Sequence, residues 1–429
     1  MSSLTLEASY IDSTLCVSLT AHQGTGAVRR PFHIGLLIDG SGSMSGDRMN
    51  EVIRTLHRLI DVMNPMDSVS LILYNSSARI ILNSVEIGTD HTALHTAIDS
   101  LRADGGTNLG AGLLQIPSLT SRPDTVIILT DGQINEGFRQ SSEILSLIRS
   151  ILPHDTPVHT VAFGAEHNHI LLRDLAEKGT YTFLDTNEMI STIWGDILGG
   201  LESEVGRGAE LVVPSGWKIF EVGANPALTT FMIGRLIDEK KHWVVLEPLT
   251  SGEALPSKIQ LRWTEGSTAH LEEAVPTPAT TPLDLVEQKL RADTAIELRK
   301  ITDFVQGSKR AEALEALKNL KTLLDSSAVK DRILIIQFRA QIDGMVDLIT
   351  RSTTAYNPVL MSRLASTEAY AGHQAGILSI PPPPDGHPSN DRTPSNAYST
   401  PRQIRTSSQM TQHISNSAAA SLPETFYET

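Results

Sequence analysis

Residues 33–50, HIGLLIDGSGSMSGDRMN, pass from an apolar strand through a loop of glycines and hydroxyls into a helix. Ile34, Leu36, Leu37 and Ile38 form the strand, which ends on Asp39, and the helix begins near Arg48 or Met49. A strand apolar on consecutive positions is buried on both faces, as in the parallel sheets of α/β proteins. Such sheets bind ligands at the C-terminal ends of their strands. Asp39, Ser41 and Ser43 therefore place one carboxylate and two hydroxyls on a tight loop where ligands bind. Three oxygen donors this close suit a hard divalent cation such as Mg²⁺ and leave room for water and a partner's oxygen. Taken alone, the stretch also reads as an ordinary Gly/Ser turn between strand and helix.

Two further stretches weigh against that plain turn. Residues 104–109 read DGGTNL, and residues 126–132 read VIILTDG, a second apolar strand delivering a carboxylate, Asp131. Asp39, Ser41, Ser43, Thr107 and Asp131 together resemble the metal-ion-dependent adhesion site of von Willebrand factor type A domains. The pattern of that family is D-x-S-x-S, then a Thr in a Gly-rich loop, then an Asp after the fourth strand. Over residues 32–203 the resemblance implies a doubly wound α/β fold with a metal at the C-terminal edge of a mostly parallel sheet. It implies that Ser41 and Ser43 ligate the ion directly, that Thr107 does so in a ligand-competent state, and that Asp39 and Asp131 act partly through water. A protein partner's Asp or Glu would fill the sixth position. Mg²⁺ is the expected ion, with Mn²⁺ or Ca²⁺ as variants, because Mg²⁺ takes few carboxylates and keeps several waters.

Composition bounds the remainder. The chain has 429 residues and a net charge of −14, so nucleic acid and anionic membranes are not expected partners. One cysteine, Cys16, rules out an intrachain disulfide and points to a reducing compartment, cytoplasmic or nuclear. The first residues, MSSLTLEASYID, show no signal peptide, and no apolar run reaches the ~20 residues of a membrane span.

Outside the α/β unit, residues 1–31 read as a β-hairpin, with Leu4, Leu6 and Ala8 alternating and then Leu15, Val17 and Leu19. A hairpin is surplus to an α/β domain, and it is expected to join the strand-rich segment 205–272, an antiparallel β-sandwich. Residues 282–351 carry helical spacing, clearest at Ile335, Phe338, Ile342, Met345 and Ile349, and predict a small three-helix unit. Residues 352–429 read as a mostly disordered tail rich in Pro, Ser and Thr. There Pro381–Pro384 offers a polyproline ligand for an SH3-, WW- or EVH1-type partner, and Thr393 and Thr400 precede prolines as phosphorylation sites do. The order of segments is similar to intracellular proteins in which a type A domain precedes its own interacting region. Some of those relatives carry a RING finger, whose zinc ligands this chain lacks.

An enzyme is the less favoured reading. In Gly42-Ser43-Met44-Ser45-Gly46 the centre is Met44, so G-x-S-x-G is absent, as are a Walker A loop and a G-x-G-x-x-G after a strand. Glu166-His167-Asn168-His169 reads as a polar loop and first helical turn with two exposed histidines. The expectation is a non-enzymatic, metal-dependent protein-interaction module, with a scaffold that has lost its metal chemistry as the alternative.

Overall fold

The computed structural model describes residues 2–24, 29–131, 134–163, 167–176, 179–184, 190–220, 228–351, 357–373 and 406. In chain order, a hairpin of β1 (Ser3–Ile11) and β2 (Thr14–His22) precedes β3 (His33–Asp39), α1 (Asp47–Val62), β4 (Ser68–Tyr74), β5 (Ala78–Glu86), α2 (Thr92–Asp99) and α3 (Leu109–Leu113). Then come β6 (Thr125–Thr130), α4 (Ser141–Ile151), β7 (Val158–Phe163), α5 (His169–Leu175), β8 (Tyr181–Leu184) and α6 (Ile190–Glu202). A run of strands follows: β9 (Glu204–Val212), β10 (Trp217–Ile219), β11 (Thr230–Ile237), β12 (Lys241–Pro248), β13 (Ile259–Glu265), β14 (Thr268–Ala274) and β15 (Thr277–Pro278). The helices α7 (Pro282–Gln306), α8 (Arg310–Ser326), α9 (Ile333–Arg351) and α10 (Pro358–His373) come last.

The central sheet has the order β5-β4-β3-β6-β7-β8, parallel throughout except for the antiparallel edge strand β5. Every residue of β3 is buried, because alternate side chains enter two different cores. Ile34, Leu36 and Ile38 pack with Val52, Leu56 and Leu59 of α1 on one face. Leu37 packs with Leu109, Ile144 and Leu171 on the other. This is the doubly wound arrangement, and the strand order reverses between β3 and β6, which is where such sheets open a crevice.

Two further sheets pack face to face beside it, β10-β12-β2-β1-β15 and β11-β9-β13-β14. β2 pairs antiparallel with β12, Val17 opposite Val244, so the N-terminal hairpin completes a sheet begun more than 200 residues later. Leu15, Val17 and Leu19 from one sheet meet Leu211, Leu261 and Trp263 from the other in a common core. The outer face of β2 and β12 offers Cys16 and Val245 to Leu285 and Ala292 of α7.

The helical segment differs from the sequence expectation in one respect. Residues 358–373, assigned above to the tail, form α10, a fourth helix among the described residues. Leu360, Met361, Leu364 and Tyr370 join the core of α7–α9, while Ala365 and Ala369 pack into the α5/β8 face of the α/β domain. A helix buried on two sides loses the single apolar stripe that marks a surface helix. Its buried Ser362, Thr367 and Glu368 make the same residues look like solvated tail. The proline run 381–384, Thr393 and Thr400 lie outside the described residues.

Candidate functional site

The register of the central sheet builds the site. Ile38 of β3 lies opposite Leu129 of β6, so Asp39 and Thr130 leave the two strands side by side. The Thr130 hydroxyl donates to Asp39 Oδ2 at 2.6 Å, and the Ser41 amide donates to Oδ1 at 2.9 Å. Asp39 is fully buried. Burial raises its pKa, against the opposing pull of those bonds from Thr130 and Ser41, and the nearby Asp131 charge raises it further.

The loop after β3 turns two hydroxyls inward. Ser41 Oγ lies 3.1 Å from Ser43 Oγ, and Ser43 Oγ donates to Asp131 Oδ1 at 2.7 Å. The other oxygen of Asp131 contacts the Arg48 guanidinium, which reaches over from the first turn of α1 and also donates to Ser43 O at 3.3 Å. Gly46 opens that helix at φ +76°, a conformation side chains resist, which lets the chain turn sharply from loop into helix.

The Gly-rich loop is laced to this one by backbone bonds. Gly42 N donates to Gly105 O at 2.9 Å, and Asp104 N donates to Gly40 O at 2.7 Å. Thr107 is held by the loop after β6: its amide donates to Asn135 Oδ1 at 2.8 Å, and its carbonyl accepts from the amides of Asn135 (3.1 Å) and Glu136 (3.2 Å). Among the described residues no hydrogen bond links the Thr107 hydroxyl to the other four side chains. A Cβ at Gly106 would overlap Glu136 Oε1 and lie 2.9 Å from Asn135 Oδ1, so a side chain there obliges both to shift. Asp39, Ser41, Ser43 and Asp131 thus share one hydrogen-bonded chain, and Thr107 sits on a loop bonded to theirs.

Thr130, Arg48 and Asn135 support the site without belonging to the D-x-S-x-S…T…D pattern. Thr130 precedes Asp131 directly, and the β3/β6 register, which the local sequence does not show, sets it beside Asp39. Nothing in the sequence aims Arg48 at Asp131 rather than at solvent.

The two histidines read as exposed are both buried. His167 Nε2 lies 2.7 Å from Tyr181 Oη, and its ring packs near Phe183. Neither ring nitrogen of His169 has a hydrogen-bond partner among the described residues. The strand β8 and the helix α10 cover this end of the sheet, a tertiary effect absent from the local sequence.

The donor set fits a hard divalent cation: two carboxylates and three hydroxyls, with no nitrogen or sulfur, around a buried carboxylate whose burial alone disfavours its charge.

A family model of the von Willebrand factor type A domain matches residues 33–193, and this segment of the chain is such a domain. Domains of this family are protein-interaction modules and are mostly non-enzymatic. The uncharacterised protein YfbK of Escherichia coli is 29% identical over 160 residues, 35% of this chain and 28% of YfbK. The chain therefore spans less than a third of the length of that relative. A von Willebrand factor type A structure from Catenulispora acidiphila has a TM-score of 0.59 at 19% identity, over 79% of this chain and 89% of that one. The ArnB paralog VWA2 of Sulfolobus acidocaldarius has a TM-score of 0.54 at 15% identity, over 86% of this chain and 97% of that one. Both alignments extend well beyond residues 33–193, so the likeness of fold includes flanking segments as well as the type A domain.

Proposed function

We propose that the crevice between β3 and β6 holds Mg²⁺ and that the chain uses this ion to bind an acidic side chain of a protein partner. Asp39, Ser41, Ser43, Thr107 and Asp131 would hold the ion. What carries the reading is the hydrogen-bonded sequence Thr130–Asp39–Ser41–Ser43–Asp131, which gathers oxygens from the ends of two adjacent strands and the loop after β3. Neutral hydroxyls leave a bound Mg²⁺ electrophilic, so an incoming carboxylate still gains by coordinating it. No step of bond breaking is needed, and none is proposed. Mn²⁺ and Ca²⁺ are weaker alternatives on the same oxygens. The single buried Cys16 supports a reducing, cytoplasmic setting.

Isothermal titration of the chain with Mg²⁺, Mn²⁺ and Ca²⁺ tests the reading. Binding at millimolar affinity or tighter is expected, lost in Asp39→Ala and in the double variant Ser41→Ala/Ser43→Ala, with circular dichroism unchanged. Absence of heat at high Mg²⁺ and Mn²⁺, or binding that survives both variants, overturns it.

A further inference from the structure

Facing turns of α1 and α2 bring together a second group of metal-ligating side chains. His57 and Asp61 lie one helical turn apart on α1, and His91 and His95 lie one turn apart at the start of α2. We propose that Asp61, His91 and His95 form a Zn²⁺-class site with three protein ligands and an open position. It is distinct from the oxygen-lined crevice. Asp61 lies 14 residues after Asp47, at the far end of α1, about 21 Å along the helix from the loop that carries Ser41 and Ser43.

The distances are those a tetrahedral ion requires of its ligand pairs with Asp61. Asp61 Oδ1 lies 3.3 Å from His91 Nδ1 and 3.1 Å from His95 Nε2, and the three ligand atoms all fall within 4.8 Å of one another. Oxygen and nitrogen ligands about 2.0–2.1 Å from Zn²⁺ stand about 3.3 Å apart along a tetrahedron's edge.

The tautomers call for a cation within the cluster. His57 Nε2 lies 2.8 Å from Asp99 Oδ1, and a carboxylate only accepts, so that nitrogen carries the proton. A neutral His57 then has a bare Nδ1, which contacts His95 Nδ1. His95 Nδ1 must donate, which leaves His95 Nε2 as a lone pair aimed at Asp61 Oδ1 3.1 Å away. Two acceptors face each other there unless a cation lies between them. A metal satisfies both, together with His91; a second proton on His95 satisfies the same pair, and the titration below separates the two. Asp99 and His57 then form the outer hydrogen-bonded pair that fixes a metal-bound imidazole, and His57 is a positioning residue. The last turn of α1 contains no basic residue, so its carbonyl end and the Asp61 carboxylate meet no other positive charge on that turn. Two neutral imidazoles and one carboxylate select Zn²⁺, Co²⁺ or Ni²⁺ over Mg²⁺, whereas the crevice makes the opposite choice.

The test uses the full chain without a histidine tag in the Asp39→Ala background, which silences the crevice. Titration with Co²⁺ should give one equivalent with the visible absorption of a four-coordinate ion, displaced by Zn²⁺. It should be abolished in His91→Ala/His95→Ala and in Asp61→Asn, and weakened tenfold or more in His57→Ala. Metal-free thermal midpoints of the variants, close to the parent's, show that they fold. No stoichiometric Co²⁺ binding, or absorption unchanged in the folded double variant, overturns the proposal and leaves a protonated His95 as the bridging cation.

Discussion

Arg48 holds one carboxylate oxygen of Asp131 while Ser43 Oγ holds the other, so both oxygens are engaged without a metal. The guanidinium is a resident positive charge on a carboxylate that the proposed Mg²⁺ would use. Arg48 is about half exposed, at 45%, so solvent screens much of its attraction. Its competition with an ion is therefore worth about 0.5–1 kcal/mol. Arg48→Ala should tighten Mg²⁺ binding by about two- to fivefold, a change calorimetry resolves at low salt. Weaker binding in the variant would show that Arg48 supports the loaded site instead.

Gly106 is where Thr107 can be disturbed without being replaced. Any side chain there displaces Glu136 and Asn135, and Asn135 is the residue that fixes the Thr107 amide. Gly106→Ala should weaken metal binding by several fold, since removing one buried hydrogen bond costs about 1 kcal/mol. The hydrophobic cores are untouched, so the thermal midpoint should move by only a few degrees. Titration beside a melting curve checks both, and unchanged affinity would show that the Asn135 bond to the Thr107 amide does not govern metal binding.

Glu368 ties the helical segment to the α/β domain. Its Oε2 accepts from Arg173 Nη1 of α5 at 2.7 Å and its Oε1 from Arg299 Nε of α7 at 2.9 Å. Glu368 is 5% exposed and Arg173 19%, whereas Arg299 is largely in solvent. Truncation at 368 strands the Arg173 charge, which Asp174 alone then balances. Glu368→Ala should lower unfolding free energy by about 2–3 kcal/mol, and Glu368→Gln by less. Denaturant unfolding measures the loss, and early protease cleavage near α10 would locate it.

What the sequence shows depends on whether the information is local. The fold class is legible because residues 34–38 and 126–129 carry no polar side chain and each run ends at a carboxylate-bearing loop, the pattern of strands buried on both faces of a sheet. The helix α10 is not legible, because much of its burial comes from α5, β8 and α7, none of them its neighbours in sequence. Asp39, Ser41, Ser43 and Asp131 stand out because each follows a strand end in a recognisable spacing. Arg48, Thr130 and Asn135 do not, since a residue that orients another has no spacing of its own. The pairing of Asp61 with His91 and His95 spans about 30 residues and two helices, and emerges only when α1 packs on α2.

Three histidines, one buried and two half-buried, give the fold a defined sensitivity to acid. Burial lowers the pKa of His169 to about 4, with Arg173 contributing. Burial likewise lowers His159 to about 3, with Arg235 and Lys240 adding to the effect, and His242 to about 3, with Lys240. In the unfolded chain each returns to about 6.5. Between these values the unfolded state binds more protons than the native state, so stability rises with pH there. The contribution is complete above about pH 6.5 and is lost as pH falls toward 4 for His169 and toward 3 for the other two. Each histidine adds a slope of up to about 1.4 kcal/mol per pH unit. His169→Leu removes one such group without leaving a buried unpaired ring nitrogen. Urea unfolding at pH 7.0, 6.0 and 5.0 should show a shallower loss of stability in the variant, by up to about 1.4 kcal/mol per unit near pH 5. An identical slope in both proteins would mean that His169 is protonated in the native state, with water reaching its ring.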